Sequence, residues 1–318
     1  MKVLVLDKVD PLLTNGLKEL GFFLVEDYHS SARDLISILP EITGIVIRSR
    51  LRMDRELLAA APKLKFIGRV GAGMENIDLD FAREQGIACF RAAWGNRTAV
   101  GEHALGMLLM LLNNLRRADQ EVRSGIWRRD ENRGYELDGR MVGIIGYGQM
   151  GSAFAEKLSG LGVQVLAYDL YKSGFEKGHV KEVEMEYIFK YTDILSLHVP
   201  ETELTRGMVD DTYLNRFEKN IYLINTSRGK VVNTAALVRA MKKGKVLGAC
   251  LDVLEYEKSS FEHFFESELP DDFRYLVESD RTVLTPHIAG WTHESRKKMA
   301  LAILKQIDDL NLHHQKGA

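Results

Sequence analysis

The segment MVGIIGYGQMGSAFAEKL, which begins at Met141, constrains the fold of this chain more than any other. A run of apolar residues leads directly into Gly146, Gly148 and Gly151, spaced as G-x-G-x-x-G, and a helical pattern follows. The first glycine of such a turn permits its tight geometry, the second lets the backbone approach a pyrophosphate, and the third lets the helix pack on the strand. N–H groups at the start of the helix add an anion site. The segment therefore predicts a dinucleotide-binding fold.

An acidic residue at the end of the next predicted strand indicates which dinucleotide binds. Asp169 closes the pattern VQVLAYD, 18 residues after Gly151. A carboxylate there can accept hydrogen bonds from both hydroxyls of the adenosine ribose, and it repels a 2′-phosphate. Lys172 lies close by in sequence and weakens that exclusion. The pattern predicts NAD, rather than NADP, as the cofactor.

Short β-branched runs alternate with helical patterns along the chain. Four strands are predicted from KVLVLD, GIVIRS, LKFIGRV and GIACFR, and six more from MVGIIG, QVLAYD, DILSLHVP, IYLINTS, VLGACLDV and RTVLTPH. This rhythm predicts an α/β fold with two doubly wound parallel sheets. One long helix is expected from about residue 97 to 123, and another from residue 294. Residues 256–276, which are acidic and aromatic, are expected to form an irregular excursion.

Composition argues against several other classes of protein. The chain has 318 residues, of which 45% are hydrophobic and 28% charged, and its formal net charge is −2. It is long enough for two domains and offers no basic face for a nucleic acid. Its longest apolar run, ALGMLLMLL, is too short to cross a membrane. The two cysteines, Cys89 and Cys250, indicate a reducing cytoplasm, and no spacing of Cys or His predicts a metal site.

Three side chains suited to hydride chemistry on a 2-keto acid follow predicted strands. Arg228 stands after IYLINTS, Glu257 after CLDVLEY and His287 after VLTP. The planar fork of an arginine suits a carboxylate, and a histidine exchanges protons near neutrality. A glutamate bonded to the far ring nitrogen would stabilise the imidazolium. By pattern alone, however, Arg228 can be a turn residue, Glu257 a solvated acid and His287 a helix cap.

Two other histidines compete for the acid/base role when histidines are only counted. His198 follows a predicted strand in LSLHVP, and His103 lies in GEHALG. The second of these is better explained as a structural residue, because its helix is apolar.

Seven segments, taken in order, resolve these alternatives. They are RVGAGMENIDLD, GNRTAVGEHALGMLL, GIIGYGQMG, DILSLHVP, INTSRGKVVN, ACLDVLEYE and TPHIAGWTHES. Together they resemble the D-isomer-specific 2-hydroxyacid dehydrogenase family over nearly the full length of the chain. The resemblance implies that Arg228 binds the substrate, that His287 is the acid/base and that Glu257 is its partner.

The resemblance also implies which residues surround the two ligands. Those expected to bind the cofactor are Gly146, Gly148, Gln149, Met150, Gly151, Asp169, His198, Pro200, Thr205, Thr226, Ser227, Asp252, Ala289 and Gly290. Those expected to bind the substrate are Arg48, Arg69, Val70, Gly71, Ala72 and Arg228.

Family architecture implies a discontinuous first domain. A flavodoxin-like substrate domain is expected at residues 1–95 and 291–318, and an NAD-binding Rossmann domain at residues 96–290. The helix after Asn96 and the arm that follows it resemble the family's dimer interface, so a homodimer or a dimer of dimers is implied. The chain ends at Ala318, and it is therefore expected to lack the regulatory domain that many phosphoglycerate dehydrogenases carry.

Two arginines favour a phosphorylated substrate. Arg48 in GIVIRSR and Arg69 in GRVGAG end predicted strands, and the second loop resembles that of phosphoglycerate dehydrogenases. The expected pair is 3-phosphoglycerate and 3-phosphohydroxypyruvate, the first step of serine biosynthesis. A reductase of glyoxylate, hydroxypyruvate or a D-lactate-like acid is the alternative, and an NAD-binding corepressor is an alternative of another class. Lys258, RAAW (91–94) and Trp291 depart from the family pattern and leave the substrate open.

Overall fold

The chain forms two compact units, seen in a computed structural model that describes residues 1–257 and 270–311. One unit comprises Met1–Arg97 and Trp291–Ala318, and the other comprises Thr98–Gly290. Each unit has its own parallel sheet. Within the described ranges, no helix is long and apolar enough to cross a bilayer. The same ranges contain no group of three His, Cys, Asp or Glu side chains arranged to hold a metal ion.

Strands and helices alternate as the sequence predicts. The strands are β1 (Lys2–Val5), β2 (Phe23–Glu26), β3 (Ile42–Ile47), β4 (Phe66–Arg69), β5 (Ala88–Arg91), β6 (Met141–Ile145), β7 (Gln164–Tyr168), β8 (Val180–Glu182), β9 (Ile194–Leu197), β10 (Ile221–Asn225), β11 (Val246–Leu251) and β12 (Thr282–Leu284). The helices are α1 (Pro11–Glu19), α2 (Ala32–Leu35), α3 (Arg55–Ala59), α4 (Leu79–Glu84), α5 (Ala93–Leu112), α6 (Leu115–Arg123), α7 (Gln149–Leu158), α8 (Met185–Tyr191), α9 (Asp211–Asn215), α10 (Thr234–Lys242), α11 (Asp271–Glu278) and α12 (His293–Asp308).

The first sheet has five parallel strands in the order β2-β1-β3-β4-β5. This is the flavodoxin-like order, in which the direction of winding reverses between β1 and β3. Its core is built from apolar strand residues such as Val3 and Phe66, which pack with Leu17 of α1 and Ile303 of α12. A ligand site is expected beyond the carboxyl ends of β1 and β3, because that is where the winding reverses.

The second sheet has seven parallel strands in the order β12-β11-β10-β9-β6-β7-β8. With β6 counted as the first strand, this is the Rossmann order extended by one strand. The central strands β9 and β10 are buried along their whole length, as strands covered by helices on both faces must be. The two sheets confirm the predicted fold class. Winding reverses between β6 and β9, where the predicted phosphate turn lies.

The single helix predicted from residue 97 to 123 is wrong. α5 begins earlier, at Ala93, and ends at Leu112, and α6 begins at Leu115. Asn114 between them adopts a left-handed φ of 53°. Asparagine reaches that conformation at lower cost than most residues, so it can end one helix and start another without a glycine.

Three further elements also differ from prediction. β2 and β8 were missed, and both are short edge strands. β8 has no continuous apolar run, whereas β2 contains the apolar residues FLV but is at most half-buried. The excursion predicted at 256–276 is partly helical, since α11 begins at Asp271 and buries Phe273 and Leu276. Residues 258–269 of that excursion, with Lys258, lie outside the described residues.

Candidate active site

Each of the three glycines after β6 is required for a different physical reason. Gly146 has a φ of +92°, and a Cβ there would lie 2.6 Å from the His198 carbonyl oxygen. A Cβ on Gly151 would lie 2.1 Å from the Gly146 carbonyl oxygen, so α7 could not pack so closely on the turn. A Cβ on Gly148 would meet nothing within 4 Å. The fold itself therefore accounts for the first and third glycines, whereas the second leaves open backbone for a ligand.

This contrast predicts opposite phenotypes for two glycine-to-alanine changes. Gly151→Ala should destabilise the fold by about 1–3 kcal/mol or more, because the new methyl group overlaps backbone. Gly148→Ala should leave thermal unfolding unchanged and weaken NADH binding roughly tenfold or more, a loss of about 1.4 kcal/mol. Thermal melts and NADH fluorescence titrations of both variants test this. Equal loss of stability in the two variants would contradict a ligand role for Gly148.

Asp169 bonds to the phosphate turn and to its own loop. One carboxylate oxygen accepts from the backbone N–H of Tyr147 at 2.8 Å, and the other accepts from Tyr171 at 2.9 Å and Lys172 at 3.0 Å. A carboxylate has about four acceptor positions. Asp169 therefore fixes the turn and keeps capacity for one further donor, which is less than the two ribose hydroxyls predicted from sequence.

Two buried polar atoms at the ends of neighbouring strands have no hydrogen-bond partner within the described residues. They are the Thr226 hydroxyl after β10 and Nδ1 of His198 after β9. Leaving such an atom unsatisfied costs about 1–3 kcal/mol, which a bound ligand can offset. Together with the open backbone at Gly148, these atoms fit an NAD molecule lying across the carboxyl edge of the second sheet.

His198 lacks the setting of an acid/base. Its Nε2 lies 2.8 Å from the Ser196 hydroxyl, its ring packs against Phe154, and burial lowers its pKa to about 3. The imidazole is therefore neutral near pH 7. This arrangement suits a binding or structural role.

His287 and Glu257 form a hydrogen-bonded pair. Nδ1 of His287 lies 2.8 Å from Oε2 of Glu257, and both side chains are largely buried. The other carboxylate oxygen, Oε1, accepts from the backbone N–H of Leu254, which fixes the glutamate. A carboxylate in this position orients the ring and stabilises its protonated form. The geometry is that of a general acid/base and its partner.

A buried aspartate holds the turn that carries His287. The Asp252 carboxylate is 1% exposed and accepts from the backbone N–H groups of Ile288 and Ala289, each at 2.9 Å, and from the Thr285 hydroxyl at 2.6 Å. Its carbonyl oxygen accepts from the His287 N–H at 2.7 Å. His287 has a φ of 56°, a left-handed conformation that is uncommon outside glycine.

These bonds also keep the Asp252 carboxyl ionised. Burial opposes its charge, but the His103 ring nitrogen 3.5 Å away and the hydrogen bonds from Thr285 and the two backbone N–H groups outweigh burial and lower its pKa. Thr285 was not among the predicted site residues. Nothing in the sequence singles it out beyond its place beside Pro286 and His287.

Arg228 leaves β10 through a turn that a buried asparagine braces. Asn225 is fully buried; its Oδ1 accepts from the Ser227 N–H at 3.0 Å and from the Ser227 hydroxyl at 2.7 Å. Its Nδ2 donates to the Arg228 carbonyl oxygen at 2.9 Å. The sequence prediction missed this residue, although a polar side chain ending a wholly apolar strand is a usable signal.

Gly229 brings the arginine turn against the segment that leads to Glu257. A Cβ at Gly229 would lie 1.9 Å from the carbonyl oxygen of Leu254, whose N–H bonds to the catalytic glutamate candidate. Arg228, Glu257 and His287 thus follow three neighbouring strands, β10, β11 and β12, of one sheet.

The other predicted cofactor residues take ordinary places in the second unit. Gln149 and Met150 begin α7, and Thr205 donates to the carbonyl oxygen of Pro200 at 2.6 Å. Ser227 is buried in the arginine turn, and Ala289 and Gly290 follow the His287 turn.

The predicted substrate residues of the first unit lie at the carboxyl edge of its sheet. Arg48 follows β3, its N–H donates to the Asp7 carboxylate at 2.6 Å, and its guanidinium carbon lies 4.5 Å from the centroid of the Trp291 ring. Arg69 ends β4 and pairs in register with Arg91 at the end of β5. An arginine therefore stands at or directly after the carboxyl end of three neighbouring strands, and Arg91 was not among the predicted site residues.

The loop after Arg69 contains the other three predicted substrate residues. Val70 donates its N–H to the Ile47 carbonyl oxygen, and Gly71 accepts from the Ala92 N–H, each at 2.8 Å. Ala72 is half-buried. The Arg69 guanidinium lies directly over Gly71: a Cβ on Gly71 would be 1.7 Å from Nη1 of the arginine.

Comparison with known proteins agrees with this geometry. Residues 105–289 match the model of the D-isomer specific 2-hydroxyacid dehydrogenase NAD binding domain. The chain belongs to this family. The match covers the phosphate turn, Arg228, Glu257 and His287, and it confirms the resemblance found in the sequence and NAD as the cofactor.

Relatives of this chain carry several different names. It is 33% identical to a D-3-phosphoglycerate dehydrogenase of Archaeoglobus fulgidus over 96% of its own length, but it spans only 56% of that relative. It is 31% identical to a hydroxypyruvate reductase of Thermotoga maritima, covering 96% of this chain and 97% of that protein. A D-lactate dehydrogenase structure from Aquifex aeolicus, complexed with NAD and lactic acid, superposes with a TM-score of 0.82 at 29% identity, covering 98% and 95% of the two chains.

Proposed function

We propose that this protein is an NAD-dependent dehydrogenase that interconverts a D-2-hydroxy acid and its 2-keto acid. The observation that carries the proposal is the 2.8 Å hydrogen bond between His287 and Glu257 in the sheet that also carries Arg228 and the nucleotide turn. Bound NAD supplies or accepts the hydride.

Each of the three side chains has one role. The Arg228 guanidinium binds the substrate carboxylate through two parallel hydrogen bonds and polarises the keto group. His287 donates a proton to the keto oxygen during reduction, from Nε2, and removes it from the hydroxyl during oxidation. Glu257 accepts from Nδ1–H, orients the ring and stabilises the imidazolium.

A panel of 2-keto acids tests this proposal. Purified protein is mixed with NADH and glyoxylate, hydroxypyruvate, pyruvate or 3-phosphohydroxypyruvate, and NADH oxidation is followed. Turnover of at least one acid is expected. NADH binding without turnover of any acid would instead favour the corepressor-like alternative.

We further propose 3-phosphohydroxypyruvate as the preferred keto acid. The arginines at the ends of β3 and β4 support a phosphate site, because guanidinium groups bind phosphate in the same forked way as carboxylate. The Archaeoglobus relative supports the same substrate, whereas the Thermotoga and Aquifex relatives support the alternatives of hydroxypyruvate and a D-lactate-like acid. Serine biosynthesis is the pathway that the first assignment would imply.

Arg69→Ala should therefore separate phosphorylated from unphosphorylated substrates. The kcat/KM for 3-phosphohydroxypyruvate should fall by a factor equivalent to about 1.5–3 kcal/mol of transition-state stabilisation, the contribution of a hydrogen bond to a charged group. The kcat/KM for glyoxylate should barely change. Arg83→Ala is the matched control, because it removes an exposed arginine of α4 that pairs only with Asp80 among the described contacts. Equal losses on both substrates would give Arg69 a structural role.

Asp169 should set the choice between NAD and NADP. Asp169→Asn removes the charge that repels a 2′-phosphate and keeps one oxygen, which can still accept either from Tyr147 or from Tyr171 and Lys172. Because like charges in contact cost several kcal/mol, the ratio of kcat/KM with NADH to that with NADPH should fall roughly tenfold or more. Initial rates with both cofactors measure it, and an unchanged ratio would mean that the carboxylate does not face the ribose.

Assembly and location remain predictions. A homodimer is supported by α6 and the arm after it, where Leu115, Val122 and Trp127 are exposed in the single chain. A cytoplasmic location is supported by the two free thiols, Cys89 and Cys250. Sedimentation would measure the first and fractionation of the source cells the second.

A further inference from the structure

His103 approaches the acid/base turn from a separate helix. It lies on α5, next to the buried Ala104 and one turn before the buried Met107. Its Nε2 lies 3.0 Å from the Thr285 hydroxyl and 3.5 Å from Oδ1 of Asp252. The side chain is 22% exposed. One ring nitrogen of His103, on an apolar helix, therefore faces the Thr285 and Asp252 side chains that hold the His287 turn.

The hydrogen-bond directions in this cluster are fixed by proton counting. The single hydroxyl proton of Thr285 is directed to the ionised Asp252 carboxylate, 2.6 Å away. The Thr285 oxygen can then only accept from His103, so Nε2 of His103 must carry a proton. With the proton on Nδ1 alone, Thr285 would have to turn its own proton to His103, and Asp252 would lose a donor.

We propose that His103 is a positioning residue for His287. Its Nε2–H orients the Thr285 hydroxyl, which fixes the Asp252 carboxylate, and Asp252 holds the left-handed turn from which His287 reaches Glu257. The proposal rests on the proposed acid/base role of His287. It adds that this role depends on a donor located 184 positions earlier in the chain.

Matched substitutions separate the N–H group from the bulk of the side chain. His103→Met keeps an unbranched side chain of similar length without a donor, and kcat should fall about 10- to 100-fold, by analogy with the loss when a group that orients a metal-bound histidine is removed. His103→Gln restores an N–H near Nε2 and should recover most of kcat. The KM for the keto acid should change little in either variant. Glu102 lies beside His103 on α5, and Glu102→Gln, which breaks its ion pair with Lys157 of α7, should leave kcat unchanged.

A double-mutant cycle that combines His103→Met with Thr285→Val tests whether His103 acts through the Thr285 hydroxyl. If His103 acts through Thr285, the Met substitution should have little further effect once the hydroxyl is gone, because residues in one hydrogen-bond chain are not additive. Additive losses of kcat would overturn the proposal. Thr285→Val alone also provides the test if His103→Met does not fold.

A spectroscopic measurement keeps this proposal separate from the enzymatic one. The ¹H NMR signal of the His287 Nδ1–H is assigned by its loss in His287→Gln, and it reports the bond to Glu257 without any substrate. The signal should shift or exchange away in His103→Met and return in His103→Gln. An unaltered signal in both variants would overturn the positioning role, even if the dehydrogenase assay succeeds. If no keto acid is reduced, the signal still decides whether His103 positions His287.

Discussion

His287→Ala should lower the turnover of the keto acid by roughly 10²–10⁴-fold, the usual contribution of a positioned general acid. The physical reason is the loss of the proton donor whose ring Glu257 orients at 2.8 Å. NADH binding should stay nearly intact, because the phosphate turn lies after β6 and does not include this histidine. Steady-state kcat and an NADH fluorescence titration measure the two effects.

Backbone strain must be separated from lost chemistry in that variant. His287 has a φ of 56°, which alanine adopts less readily than asparagine. His287→Asn therefore serves as the control, since it keeps the left-handed turn and removes the acid/base. We expect a loss of turnover as large as in the alanine variant. Comparable turnover of His287→Asn and the unaltered protein would remove His287 from the mechanism.

Arg228→Ala should lower kcat/KM by roughly 10²–10⁴-fold, because each of two hydrogen bonds to the substrate carboxylate contributes about 1.5–3 kcal/mol. The kcat/KM of Arg228→Lys should lie between those of the unaltered protein and Arg228→Ala, since an ammonium keeps the charge but not the planar fork. Neither change should alter thermal unfolding much, because Asn225 braces the turn through backbone groups, and a guanidinium hydrogen bond, to the Ser227 carbonyl oxygen at 2.6 Å, joins adjacent residues of the same turn. Initial rates over a range of keto acid concentrations measure the loss.

The lysine variant makes the test of Arg228 specific. If Arg228→Lys and Arg228→Ala lose the same activity, the planar fork of the guanidinium is essential and a positive charge alone is not sufficient. If both keep nearly full kcat/KM, Arg228 does not bind the carboxylate, and its place beside Gly229 has only a structural reason.

The nucleotide-binding half of the protein could be predicted from sequence because its signals are local. The apolar run of β6, the glycines at 146, 148 and 151, and the start of α7 occupy one continuous segment. The same holds for the strands of both sheets that carry long apolar runs. β8 has no such run, since an edge strand with an exposed face needs none, whereas the FLV run of β2 is short and was missed.

The hydrogen bonds that hold the turns of the candidate site could not be predicted in this way, because they join residues far apart in sequence. Asp252 and Thr285 are separated by 33 positions, and Thr285 and His103 by 182. Asp252 was predicted to bind the cofactor, yet most of its acceptor positions hold the His287 turn. Asn225 acts only through the shape of the turn it braces. Such contacts emerge from the fold and leave no periodic pattern.

Direct detection of hydride transfer tests the central claim, namely that this chain reduces a 2-keto acid with NADH at the Arg228, Glu257 and His287 site. The best substrate among hydroxypyruvate, pyruvate and 3-phosphohydroxypyruvate is reduced with NADH that carries deuterium at both hydrogen positions of nicotinamide C4, and the product is analysed by mass spectrometry and chiral chromatography. We expect deuterium at C2 of a hydroxy acid of D configuration, formed by the unaltered protein and formed far more slowly by His287→Asn. Product without deuterium, product of L configuration, or equal amounts of deuterated product from His287→Asn in the same time would contradict the account.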